Sequence, residues 1–214
     1  MMIVIALILK VLFFSPQSFV PATGDLLIQD LDCGPFCDAV EKVTIGYQGR
    51  DMSHIGIVVD EGAKGIYVIE ATGSGVVSTP LKTFLNKSLD KNGKPKVLVG
   101  RMEDDYSSLI PQAILHAKSL LGKKYDDIFD INNDTYYCSE LIYESFKNAN
   151  DGDAVFDLAP MTFIDPDTGA TFDIWTDYYK KLDVAIPEGE PGINPGGIST
   201  SDKIDIVYNY QNSN

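Results

Sequence analysis

Three side chains in this 214-residue chain have the types that nucleophilic catalysis needs. Cys138 opens the run Thr135-Tyr136-Tyr137-Cys138-Ser139-Glu140-Leu141, while His54 and Glu70 lie in two β-branched runs upstream. A thiol can attack a carbonyl, an imidazole can move its proton, and a carboxylate can steer the imidazole.

The element that must position the thiol is a helix over about residues 136–149. At the helical period Cys138, Leu141, Ile142, Ser145 and Ala149 share one face, with Glu140, Tyr143, Glu144 and Lys147 on the other. Thr135 is the expected N-cap, which places Cys138 in the first turn, where unpaired N–H groups and the helix dipole favour a thiolate. The competing reading is a small buried core residue.

The imidazole and the carboxylate need a sheet. Ser53-His54-Ile55-Gly56-Ile57-Val58-Val59 and Gly65-Ile66-Tyr67-Val68-Ile69-Glu70-Ala71 read as a hairpin joined by Asp60 to Lys64. Val59 is expected opposite Gly65, which sets His54 directly opposite Glu70 on one sheet face. A slip of one residue would separate them, and on a solvated face both would be ordinary exposed groups. The only other histidine, His116, is expected on the surface of a helix capped by Ser107 or Ser108, whose buried stripe is Ile110, Ile114, Ala117 and Leu121.

Gly24-Asp25-Leu26-Leu27-Ile28, the His54 and Glu70 strands, Leu121-Gly122-Lys123-Lys124-Tyr125-Asp126 and Tyr137-Cys138-Ser139-Glu140-Leu141 occur here in one order. In these motifs the chain resembles the YiiX/YebB-like group of circularly permuted, papain-like NlpC-type amidases and peptidases over roughly residues 24–150. The resemblance implies Cys138 as nucleophile, His54 as base and Glu70 as orienting acid, as the periodicity does. It also implies a peptide or amide substrate, with peptidoglycan-derived peptides a natural target. Permuted relatives that are thiol-dependent lipid acyltransferases supply one alternative, and a noncatalytic binding module on the same fold supplies another.

Residues 1–22 read as a signal peptide, with Lys10 interrupting the apolar stretch instead of preceding it and a retained anchor as the rival. The mature chain is then expected to be exported, periplasmic or extracellular, and without stable membrane insertion. Of three cysteines, Cys33 and Cys37 can pair in an oxidising compartment and leave Cys138 free, but spacing leaves that pairing open. No metal or other cofactor is expected. Two cysteines without nearby histidines offer zinc too few ligands. The calcium-loop lookalike from Asp130 has Thr135 where glycine belongs and Leu141 where glutamate belongs. The formal charge of −14 opposes binding to nucleic acid or anionic headgroups.

The remaining pattern fits one domain over 23–214, an α+β fold in which a mostly antiparallel sheet packs against helices. Strands are expected near 25–29, 54–59, 66–71, 76–79 and 96–102, and helices near 36–46, 81–86, 108–121 and 136–149. Beyond about residue 150 the chain is longer than the minimal fold needs. There Ile174 to Tyr179 reads as a short aromatic helix shaping the cleft, Pro187 to Gly197 as irregular loop, and Ser199 or Ser201 as a restart of structure through Tyr210.

Overall fold

The computed structural model describes residues 19–212. Most of the expected signal peptide lies outside the described residues; of its last residues, Phe19 stacks on Tyr208 with ring centroids 4.0 Å apart.

The chain begins with β1 (Leu26–Gln29), α1 (Pro35–Val43), β2 (His54–Asp60), β3 (Ile66–Thr72), β4 (Gly75–Pro80) and α2 (Leu81–Leu85). There follow β5 (Val97–Met102), α3 (Asp104–Ser107), α4 (Ile110–Ser119) and α5 (Cys138–Ala149). The segment after α5 supplies β6 (Ala159–Pro160), α6 (Asp173–Leu182), β7 (Pro191–Gly192), α7 (Pro195–Ser199) and β8 (Ile204–Asn209). Six strands form an antiparallel sheet in the order β4-β3-β2-β1-β5-β8. The five expected strands are there, and the restart after Ser201 is the sixth.

Alternation along each strand divides the core. Leu26, Ile28, Ile55, Ile57, Ile69 and Leu98 are buried on the side packed by α4 and α5, and Leu27, Val58, Val68, Val97 and Val99 close around Phe84 of α2. The Gly24-Asp25 motif is structural: Asp25, buried at the head of β1, accepts two 2.8 Å bonds from Arg101 on β5.

Several expectations need correction. The helix expected over 108–121 is α4, with the short α3 ending just before it, and Leu109, not Ser107 or Ser108, precedes α4. Its buried face is Ala113, Ile114, Ala117 and Leu120; Leu121 is exposed. His116 is half-buried with an unpaired Nδ1, and burial lowers its pKa. The Pro/Gly-rich stretch is partly regular, because Pro195 starts α7 and the Asn194 side chain caps it by accepting from Gly197 N–H at 2.7 Å.

Cys33 and Cys37 form a disulfide with Cα atoms 5.3 Å apart, which leaves Cys138 free. The bridge closes a loop of only four residues' separation across the start of α1, so loop entropy assigns it about 2 kcal/mol. Cys33→Ser with Cys37→Ser is expected to lower the unfolding free energy by that amount, read as a lower urea midpoint at an unchanged slope. A midpoint equal to the parent's would show that the bridge does not hold α1 in place.

Candidate active site

Cys138 is the first residue of α5 and His54 the first of β2, so both sit where an element begins. The N-cap of α5 is Tyr137, not Thr135. Thr135 is drawn instead to Asn133, whose Oδ1 accepts from both its N–H and its hydroxyl. Glu140 then reaches back and accepts the Tyr137 N–H at 3.1 Å, one half of a capping box.

That reach explains a second correction. Glu140 and Tyr143, expected on the outer face of α5, are both buried, because the helix is enclosed by the sheet, by α4 and by the C-terminal segment. Burial raises the Glu140 pKa to about 9 against its bond to the Tyr137 N–H, so the carboxyl two residues from the thiol is neutral at pH 7.

The β2–β3 register differs by two residues from the expected one. Gly56, not His54, faces Glu70, and Asp60 pairs with Ile66. β2 runs on to Asp60, whose carboxylate accepts the Gly62 N–H and starts the turn one residue later. A shift of two preserves the faces, so His54 and Glu70 become diagonal neighbours and still meet, Nε2 to Oε2 at 2.5 Å. Gly56 makes room for this diagonal. A Cβ there would stand 2.5 Å from Val68 Cγ1 and 3.2 Å from Glu70 Cβ.

The ring of His54 interacts with Cys138 as well as Glu70. With Nε2 given to Glu70, Nδ1 is the nitrogen left for the sulfur. Burial, the largest single influence, pushes the imidazole down, but Cys138 and Glu70 together outweigh it and raise the pKa to about 9. Glu70, wholly buried, is also pushed up by burial, and His54 and Lys87 more than reverse this, to about 2. The Thr79 hydroxyl adds a bond to Oε1.

Beside Cys138 lies a cavity of about 140 Å³ with a mainly apolar wall, a size at which an apolar cavity holds a benzene-sized group. Phe36 and Val40 of α1, Phe129, Trp175 of α6 and Met161 form much of it. Of the aromatic run expected to shape the cleft, Trp175 lines it, while Tyr179 is buried behind in the same aromatic cluster. The segment after residue 150 is thus the far wall. It is tied to the head of α5 at Ile193, whose carbonyl accepts from Ser139 Oγ at 2.8 Å and whose N–H donates to Tyr137 Oη at 3.1 Å.

Tyr125 also faces Cys138 from this wall; burial first and then the sulfur push its pKa well up, so it stays a phenol. Its motif was visible in the sequence but carried no role there. Thr79, Lys87 and Gly56 had no sequence signal, since their effect depends on the strand register.

These groups predict a pH profile for stability. The raised His54 pKa contributes stability that is complete below its unfolded value of 6.5 and lost as pH climbs through about 9. Burial raises Glu41 to about 7 and Glu140 to about 9, so their contributions also fade as pH rises from the ordinary carboxyl range. Glu70 acts oppositely, contributing above 4.5 and losing that as pH falls through about 2. Thermal unfolding is therefore expected to be highest near pH 5 and to decline steadily to pH 9; a midpoint that rises over this interval would contradict the assignment.

A cysteine heading a helix on an antiparallel sheet, with its histidine upstream on a strand, is the papain-like arrangement in permuted order. The chain matches the family described as "Permuted papain-like amidase enzyme, YaeF/YiiX, C92 family" over residues 21–208, and it belongs to that family of cysteine-type amidases. It is 33% identical over 149 residues to the uncharacterized protein YiiX of Escherichia coli strain K12, covering 69% of this chain and 67% of the relative. A crystal structure titled as metalloprotein yiiX from Escherichia coli O157:H7 is similar with a TM-score of 0.72 at 28% identity, covering 88% of this chain and 97% of that one. Among the described residues here, no group of three or more His, Cys, Asp or Glu is placed to hold an ion, and Cys33 and Cys37 are spent on their disulfide. Nor is any helix among them long and apolar enough to cross a membrane.

Proposed function

We propose that the chain is an exported hydrolase that cleaves an amide or peptide bond through a thioester on Cys138, with an apolar group of the substrate held in the adjoining cavity. The observation that carries this reading is the single imidazole of His54 engaged by the Cys138 sulfur and by the Glu70 carboxylate.

In the acylation step the sulfur attacks the carbonyl carbon while the proton shared within the Cys138–His54 pair rests on the imidazole. The N–H groups of Cys138 and Ser139 lie in the first turn of α5, where they lack intrahelical acceptors, and they receive the developing oxyanion. The C–N bond breaks as His54 hands its proton to the leaving amine. Water then attacks the thioester with His54 again as base, which frees the acid and restores the thiol. Glu70 keeps Nε2 protonated throughout, so that Nδ1 does the transfer.

The apolar cavity favours a second reading, an ester-linked acyl chain as substrate. Both readings are tested by offering the purified chain N-acyl amino acids of increasing chain length, peptidoglycan fragments and phospholipids, beside Cys138→Ala. Release of amine from the amides, rising with the apolar group and absent from Cys138→Ala, is the expected result. Turnover of phospholipid alone would favour the second reading, and release that persists in Cys138→Ala would defeat both. Export is tested by N-terminal sequencing of the chain recovered from periplasm or medium.

A further inference from the structure

The carboxylate of Glu70 is held by more than the imidazole. Lys87 places its ammonium 2.5 Å from each of the two oxygens, and Thr79 donates to one of them from β4. The lysine is brought there by a specific piece of chain. Phe84 is fully buried in α2, and its carbonyl accepts both the Lys87 N–H at 3.1 Å and the Gln29 side-chain amide at 3.2 Å. Gln29 in turn faces His54 across the β1–β2 ladder. The Phe84 ring lies 5.8 Å from the His54 ring, and Lys87 Nζ is 5.2 Å from the same phenyl centroid. One buried phenylalanine therefore sets the spacing of the imidazole and the ammonium around Glu70.

We infer that Lys87 is a positioning residue of this site, which fixes the Glu70 carboxylate as an anion and offsets part of its charge, so that His54 can release its proton to a leaving group. The inference rests on the reading of Cys138, His54 and Glu70 as the reacting group. A fully buried carboxylate is costly unless paired, and paired with His54 alone it would bind the imidazolium more tightly than proton transfer wants. A second cation shared by both oxygens meets the pairing requirement and weakens the hold on His54. The other groups that bear on the pair are Cys138 from α5, Tyr125 facing that sulfur, and the uncharged Thr79 and Phe84. The side chain of Lys87 is 27% exposed, so its substitution leaves no large void in the core.

The chain has two histidines, so the His54 ring can be titrated by NMR after assignment with His116→Gln. Lys87→Met, which keeps the stem against Phe84, is expected to raise the His54 midpoint by about one unit, and Lys87→Arg to restore it. Lys87→Gln gives the same reading should the methionine variant fail to fold. A midpoint that stays put or falls while only thermal stability drops would overturn the inference, because a merely structural lysine does that. Alkylation of Cys138 by iodoacetamide at pH 7 that is indifferent to His54→Ala would bring down the underlying reading instead, a result distinct from an unmoved midpoint.

Discussion

Cys138→Ala is expected to lower turnover by about four orders of magnitude or more, and His54→Ala to lower it by a comparable factor, with no further loss when the two are combined. The non-additivity follows from their shared step: without the imidazole the thiol keeps its proton, and without the sulfur the imidazole has nothing to activate. Folding should survive both changes. Cys138 is 7% exposed and borders an existing cavity, so the alanine loses a sulfur with little packing behind it. Iodoacetamide separates chemistry from folding, since a labelling rate at pH 7 that falls at least tenfold in His54→Ala reports the interaction itself. Multiplicative losses in the double variant would mean that the two residues act in different steps, and the thioester route would then fail.

The same residues show how far the sequence could be read. Period-2 alternation found the His54 and Glu70 strands, and because alternation fixes the face, the two groups were assigned to one side of the sheet even though the turn lies one residue from where it was expected. Face is a local property of each strand, whereas register depends on Asp60 capping the turn at Gly62, a contact the periodicity does not encode. The helix behind Cys138 was legible for the same reason, but its outer face was not, because Glu140 and Tyr143 are covered by elements distant in sequence. The least legible part was the cavity wall. Phe36, Trp175 and Met161 reach Cys138 only through tertiary packing of α1 and the C-terminal segment, and the ties of Ser139 and Tyr137 to Ile193 span more than fifty residues.

Glu70→Gln carries the second large effect, a fall in turnover of about a thousandfold at pH 7 with the fold retained. The substitution keeps the shape and removes the charge. Its amide oxygen can still accept from Lys87 and Thr79, which turns the amide nitrogen toward His54. Facing a donor, Nε2 must become the acceptor, and the ring proton moves to Nδ1, the nitrogen that should receive the thiol proton. The tautomer is then wrong for catalysis. The imidazolium also loses a main support, and because burial alone pushes His54 down, its midpoint is expected to fall from about 9. Stability should therefore lose part of its decline between pH 6.5 and 9, since part of that decline comes from His54 keeping a proton in the folded state that it loses on unfolding. An unchanged rate in Glu70→Gln, with the His54 midpoint where it was, would remove Glu70 from the reacting group and leave it as a buried anchor for Lys87.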